Sequence, residues 1–137
     1  MTVVLRSRAE SGNFDAIVES LASAWNTSNA IAFAGLFSED ADLVNIHGMH
    51  IHGRQAIAGL YEMLFRSVFA GSTIMCSINQ HRMLRPQVGL IHIKVAVDVP
   101  GGRMAGTHNV VTSAVVTRDH SDWRVASLHN TLVSVPA

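Results

Sequence analysis

Eight histidines, a single cysteine and a thin scatter of carboxylates are the side chains with which this chain could do chemistry. His47, His50 and His52 crowd one short stretch, and in extended backbone His50 and His52 would share a side. Neutral imidazole is a common metal ligand. With no carboxylate beside them in a regular ligand motif, however, the three read as a polar loop at the rim of the domain, and neither a metal centre nor a cofactor is expected. His81 and His120 stand near turn residues and read as solvated. His92 and Lys94 alternate against an isoleucine and valine face, which assigns them to the outer side of a sheet. His108 and His129 differ, because each falls mid-strand. His108 shares its parity with Met104, Val110 and Ala114, and His129 with Trp123, Val125 and Ser127. An imidazole that faces an apolar pocket can act as general acid or base, its pKa set by burial and neighbours. His129 and His108 are therefore the candidate catalytic residues, the plainer reading being a ring satisfied by a backbone carbonyl or a subunit contact. Asn130 has the opposite parity to His129, so only one of the two faces the pocket unless a bulge intervenes.

The partners of such an imidazole would be apolar or amide-like. Trp25, Tyr61 and Phe65 lie on apolar helical faces, where they read as core or as the floor of a pocket. Asn45, ahead of Ile46-His47-Gly48, and Asn130 supply hydrogen-bonding groups without charge. These five are the candidate ligand-binding residues. Cys76, alone in an alternating strand, cannot form an internal disulfide and reads as a small buried hydrophobe.

The elements that must position these groups follow from periodicity. Phe14, Ile17, Val18, Leu21, Ala24 and Trp25 recur at helical spacing and predict a helix to about Ser28, with Ser11 or Asn13 as its cap and residues 1–12 as a flexible arm. A short second helix is expected from Ala30 to Phe37, capped by Asn29. Leu36 to Gly48 reads as helix end, acidic turn, short strand and glycine. A third helix carries Ile57, Leu60, Tyr61, Leu64, Phe65 and Val68 between Gly53 and Gly71. From Ser72 the period changes to two. Four long antiparallel strands are expected, with turns at Arg85-Pro86-Gln87, at Pro100-Gly101-Gly102 and between Arg118 and Asp122. The expectation is an α+β fold in one domain spanning residues 13–135, its twisted sheet wrapped around three N-terminal helices.

Composition narrows the function classes. A chain of 137 residues fits one domain able to bury roughly two-thirds of its unfolded surface. Ten basic and ten acidic side chains cancel without any run of like charge, which argues against nucleic acid and anionic membrane partners. No stretch approaches the ~18 apolar residues of a membrane span and the N-terminus lacks a secretory pattern, so a cytoplasmic protein is expected. Apolar residues at 48% against 15% charged hint at apolar surface that lines a cavity or meets a second subunit.

Several short motifs, in order, resemble a known group. They are Trp25-Asn26 closing the first helix, Leu36-Phe37-Ser38-Glu39-Asp40-Ala41 leading to Val44-Asn45, and Gly53-Arg54 opening the third helix. Further on come Leu84-Arg85-Pro86, Ile91-His92, Trp123-Arg124-Val125-Ala126 and His129-Asn130-Thr131. The chain is similar in these to the SnoaL-like proteins, and more narrowly to the SgcJ/EcaC group, within the superfamily of nuclear transport factor 2 and ketosteroid isomerase. The resemblance implies a cone-shaped, cystatin-like domain with a pocket between curved sheet and helices, and a homodimer formed through the outer sheet face. It implies no single activity, since isomerases, dehydratases, cyclases, epoxide hydrolases, ligand binders and association modules share the fold. Matching the motifs puts Leu21 where ketosteroid isomerases carry an oxyanion-holding tyrosine, and Asn45 where they carry the proton-moving aspartate. Leucine donates no hydrogen bond and an amide takes no proton near neutrality. The late-strand carboxylate is missing from Thr112 to Ala114, and of the paired carboxylates of an epoxide hydrolase only Asp98 is a strand acid. The expected function is therefore binding of a small apolar or aromatic, polyketide-like ligand. The alternative is an isomerase, cyclase or dehydratase using a pocket histidine, and the third reading is a homodimeric association module.

Overall fold

The computed structural model describes residues 2–120 and 122–134, with side chains described from Phe14 onward. Helix α1 (Thr2–Asn26) and the short helix α2 (Ala30–Gly35) precede strands β1 (Phe37–Val44) and β2 (His50–His52). Helix α3 (Arg54–Phe65) follows, and then the long strands β3 (Thr73–Arg85), β4 (Val88–Val99), β5 (Gly106–Asp119) and β6 (Asp122–Leu132). One six-stranded sheet results, in the order β2-β1-β6-β5-β4-β3, antiparallel except where β1 runs parallel to β6. All three helices lie on one face of it, α1 against β3 and β6, and α3 against α2, β1 and β2. Among the described residues no helix is long and apolar enough to cross a membrane.

The helical stripes read from sequence are the buried ones. Phe14, Ile17, Val18, Leu21, Ala24 and Trp25 of α1 are all core, as are Ile57, Tyr61 and Phe65 of α3. Asn29 caps α2, its Oδ1 accepting from the Ala32 N–H at 3.0 Å. Where α1 ends, the Asn26 amide pairs with both backbone groups of Ile74, accepting at 2.6 Å and donating at 3.1 Å, and so fixes the helix to edge strand β3. Gly89 lets β4 pass under α1: a Cβ there would stand 2.6 Å from Phe14 Cζ and 3.1 Å from Val116 Cγ2.

The boundaries differ from expectation in instructive ways. Helix α1 begins at Thr2, so the helix extends back through residues 2–12, where an arm was expected. That stretch has no proline, and Arg6, Arg8, Ala9 and Glu10 are good helix formers despite the lack of an apolar stripe. The domain end at 135 lies outside the described residues. Phe37 opens β1 instead of closing α2, and the acidic residues expected as a turn are inside that strand. A register shift in the pairing with β6 between Phe37 and Asp42 leaves Glu39 and Asp40 exposed while Phe37, Ala41 and Leu43 stay buried. Helix α3 stops at Phe65, and residues 66–71 form turns. Gly53, with φ +95°, turns the chain from β2 into α3, a conformation that disfavours any side chain.

Candidate functional site

A cavity of about 830 Å³ lies between the inner sheet face and the helices. Strands β3, β4 and β5 contribute Ile74, Cys76, Ile93, Val95, Val97 and Val110 as one apolar wall. Trp25 and Leu21 from α1, with Leu60, Tyr61 and Leu64 from α3, form the other. Exposed Met49, Met63 and Arg103 border it, so its mouth lies between the β1–β2 loop, the end of α3 and the β4–β5 loop. The long curved strands and the i+4 stripes of two helices can close around a space because the core stripe of α3, at Ile57, Tyr61 and Phe65, lies beside a second apolar stripe at Leu60 and Leu64, which Val68 continues in the turn that follows.

Most predicted site residues meet there. Trp25, Asn45, Tyr61, His108 and Asn130 all line the cavity. Trp25 is held by its indole N–H donating to Ser72 Oγ at 3.0 Å, and the Ser72 hydroxyl in turn donates to the Phe69 carbonyl at 2.7 Å. Phe33, Tyr61, Phe65 and Phe69 surround the indole at centroid distances of 5.3–6.1 Å. Burial pushes the Tyr61 phenol up, so it is a neutral hydroxyl at any physiological pH. Asn45 Oδ1 accepts from the backbone N–H groups of His47 and Met49 at 3.0 and 2.9 Å, which shapes the β1–β2 loop and leaves the NH₂ end of that amide for a ligand. Thr112, buried on β5, donates to Asn130 Oδ1 at 2.6 Å. His108 Nε2 donates to the Met104 carbonyl at 2.7 Å, which leaves Nδ1 as the ring nitrogen available to a ligand.

Two predicted residues are elsewhere. His129 is exposed on the outer sheet face, and Asn130 takes the inward position. Parity counted from Val125 fails because β6 carries an extra residue: Val115 pairs with Ser127 and Val116 with Val125, which leaves Ala126 unpaired. Past that bulge the inward positions are Leu128 and Asn130. Phe65 is buried against Trp25 and Tyr61 in the core stripe of α3 and does not line the cavity. Thr112, Val95 and Leu64 line it without having been singled out as site residues, though the period-two and period-3.6 patterns place each on an inward face.

The remaining histidines also fall into place. His81 is in β3, its ring 5.5 Å from Phe14, and so is not a solvated turn residue. Arg54 makes no salt bridge among the described residues; its Nε donates to the Phe37 carbonyl at 2.9 Å. His50 and His52 stand on β2, and Asp42 on the facing strand supplies the carboxylate that linear sequence did not place beside them. His50 Nε2 and His52 Nδ1 both lie 2.7 Å from Asp42 Oδ1. These hydrogen bonds, that from His52 foremost, hold the Asp42 carboxyl below the usual carboxylate range.

Cys76 gives the cavity wall a chemical probe. Burial pushes its thiol up to about 11 from an ordinary 9.0. At pH 8 the thiolate fraction is then about 100-fold lower than for an exposed thiol, and the thiolate is the reactive form. Iodoacetamide should therefore alkylate the native protein about 100-fold more slowly than the urea-unfolded chain, with the native rate climbing steeply up to about pH 11. Equal rates in the two states would show that the β3 wall is open to water.

Solved structures with this architecture come from several bacteria. A domain of unknown function with a cystatin-like fold from Nostoc punctiforme is 27% identical, over 93% of this chain and 79% of that one, with TM-score 0.83. An NTF2-like protein with a cystatin-like fold from Novosphingobium aromaticivorans is 17% identical, over 99% and 90%, with TM-score 0.84. A ketosteroid isomerase-like protein from Erwinia carotovora atroseptica is 11% identical, over 90% and 96%, with TM-score 0.76. No protein-family model matches the sequence, and no curated protein matches it. The chain has the α+β, cystatin-like fold that NTF2-like and ketosteroid isomerase-like proteins share.

Proposed function

We propose that this protein binds a small apolar or aromatic molecule, of polyketide-like character, in the cavity between sheet and helices. The observation that carries this reading is the cavity itself: about 830 Å³, walled mainly by aliphatic and aromatic side chains, with a few polar groups on its lining and Arg103 at its mouth. That combination is the usual form of a small-molecule site, where apolar walls supply affinity and a few placed polar groups set orientation. The open cavity speaks against the pure association module, which has no need of one. Asn45, Thr112 and Asn130 orient the ligand through the amide and hydroxyl groups left after their internal hydrogen bonds. Within the superfamily we place the chain with the SnoaL-like proteins, as a cytoplasmic homodimer paired through the outer sheet face. Exposed Met75 and Val111 on that face support the pairing.

Native mass spectrometry of the protein as purified, with titration by an apolar fluorescent naphthalene probe, tests the binding reading. One small molecule or one probe per chain is the expected result. Absence of both a bound molecule and saturable probe binding would overturn it.

One observation favours a catalytic version. His108 lines the cavity with its Nε2–H anchored on the Met104 carbonyl, so Nδ1 is the ring atom that could exchange a proton with a ligand. With a ketone ligand in D₂O, exchange of an α-proton by the wild-type protein but about 10²- to 10⁴-fold more slowly by His108→Gln would establish this role. Exchange by neither would leave a binding protein.

A further inference from the structure

The β1–β2 hairpin has an inner and an outer side. Its register pairs Asp42 with His52, Leu43 with Ile51 and Val44 with His50. Leu43 and Ile51 are buried in the core, so Asp42, His50 and His52 project together from the opposite face. Their side chains are 42%, 58% and 64% exposed, and nothing in the fold needs to move for a solute to reach them. One nitrogen from each imidazole and one oxygen of the carboxylate lie within 4.8 Å of one another.

We infer that Asp42, His50 and His52 form a binding site for a divalent transition-metal ion, with Zn²⁺ as its occupant. Two features separate this group from an ordinary surface ion pair. Both imidazoles converge on one oxygen, Asp42 Oδ1, at 2.7 Å, although a carboxylate has a second oxygen to offer. The convergence is imposed by the backbone: two histidines two residues apart on one strand, and the carboxylate directly opposite on the antiparallel neighbour. In a tetrahedral site with bonds of about 2.0–2.2 Å, donor atoms stand about 3.3 Å apart, so the two 2.7 Å contacts to Asp42 Oδ1 need lengthen only slightly to admit an ion. Neutral imidazole nitrogens and a carboxylate oxygen suit Zn²⁺, and the same donors also take Co²⁺, Ni²⁺ and Cu²⁺ in the usual order of affinity. Three protein ligands with solvent on the open side leave coordination positions for water or a further ligand. The site lies on the outer face, on the same hairpin as Asn45 and Met49 of the cavity rim, and it stands independently of any ligand inside.

The test uses the untagged 137-residue chain stripped with a chelator and dialysed against Zn²⁺, with Co²⁺ absorption as a coordination readout. The expected result is one Zn²⁺ per chain and visible Co²⁺ bands displaced by Zn²⁺. In Asp42→Asn, affinity should fall by more than the about 10- to 100-fold that losing an outer hydrogen-bond partner costs. The His50→Gln/His52→Gln double variant should lose binding, while His47→Gln and His129→Gln keep it. Far-UV circular dichroism checks that each variant is folded. Lack of saturable Zn²⁺ or Co²⁺ binding by the wild type would overturn the inference, as would undiminished binding by Asp42→Asn or by the double variant.

Discussion

Trp25→Ala will destabilise the fold by about 3–5 kcal/mol and abolish the binding of apolar probes, the largest loss expected from any single truncation around the cavity. The indole is almost wholly buried, touches four other aromatic rings, and holds a hydrogen bond to buried Ser72. Truncation removes the ring contacts and leaves a void beside a cavity, where the surrounding helices cannot collapse without losing their purchase on the sheet. Trp25→Phe separates the two contributions. It keeps one six-membered ring of apolar bulk but deletes the N–H together with the rest of the indole, so it should cost about 1–3 kcal/mol, from one lost hydrogen bond and a smaller void than alanine leaves. Ser72 retains its bond to the Phe69 carbonyl and is not orphaned. Urea unfolding at 25 °C, followed by circular dichroism, measures both. A loss below about 1 kcal/mol for Trp25→Ala would mean that the rings of Phe33, Tyr61, Phe65 and Phe69 are not tightly packed on the indole.

The parts of this architecture that were legible in the sequence are those governed by long, uninterrupted periodicity. The stripe from Phe14 to Trp25 and the alternation from Ile91 to Val99 each repeat often enough that one reading of the period survives. Short or interrupted elements were not legible. Strand β2 has three residues, too few for any period, and its partner β1 carries three acidic residues that look like a turn because a bulge lets two of them face water. The same physics moved the site. His129 and Asn130 could not be ranked by parity, and one unpaired residue at Ala126 decided for the asparagine. The meeting of Asp42 with His50 and His52 was hidden for a related reason: cross-strand register is a property of two segments and their turn, here shaped by Asn45, and no linear spacing rule contains it.

Val95→Trp will leave the protein folded and weaken binding of an apolar probe by roughly tenfold or more, equivalent to at least ~1.4 kcal/mol. The outcome depends on where the added ring goes. Val95 sits mid-strand on β4, paired with Cys76 on β3 and Val110 on β5, and its partly buried side chain packs against the edge of the core and borders the cavity. Overpacking costs about 1–3 kcal/mol when extra atoms are forced between filled neighbours. Here the indole has an open volume of about 830 Å³ to occupy, and burying it there offsets much of any strain. Stability and ligand affinity should thus separate, which distinguishes this substitution from Trp25→Ala, where both fall together. The indole would also cover Cys76, so alkylation of the native protein should slow further in parallel with the loss of probe binding. A folded Val95→Trp variant that binds the probe as tightly as the wild type would move the apolar site out of the cavity. The outer sheet face, where Met75 and Val111 stand exposed, would then be the surface to which probe and partner compete.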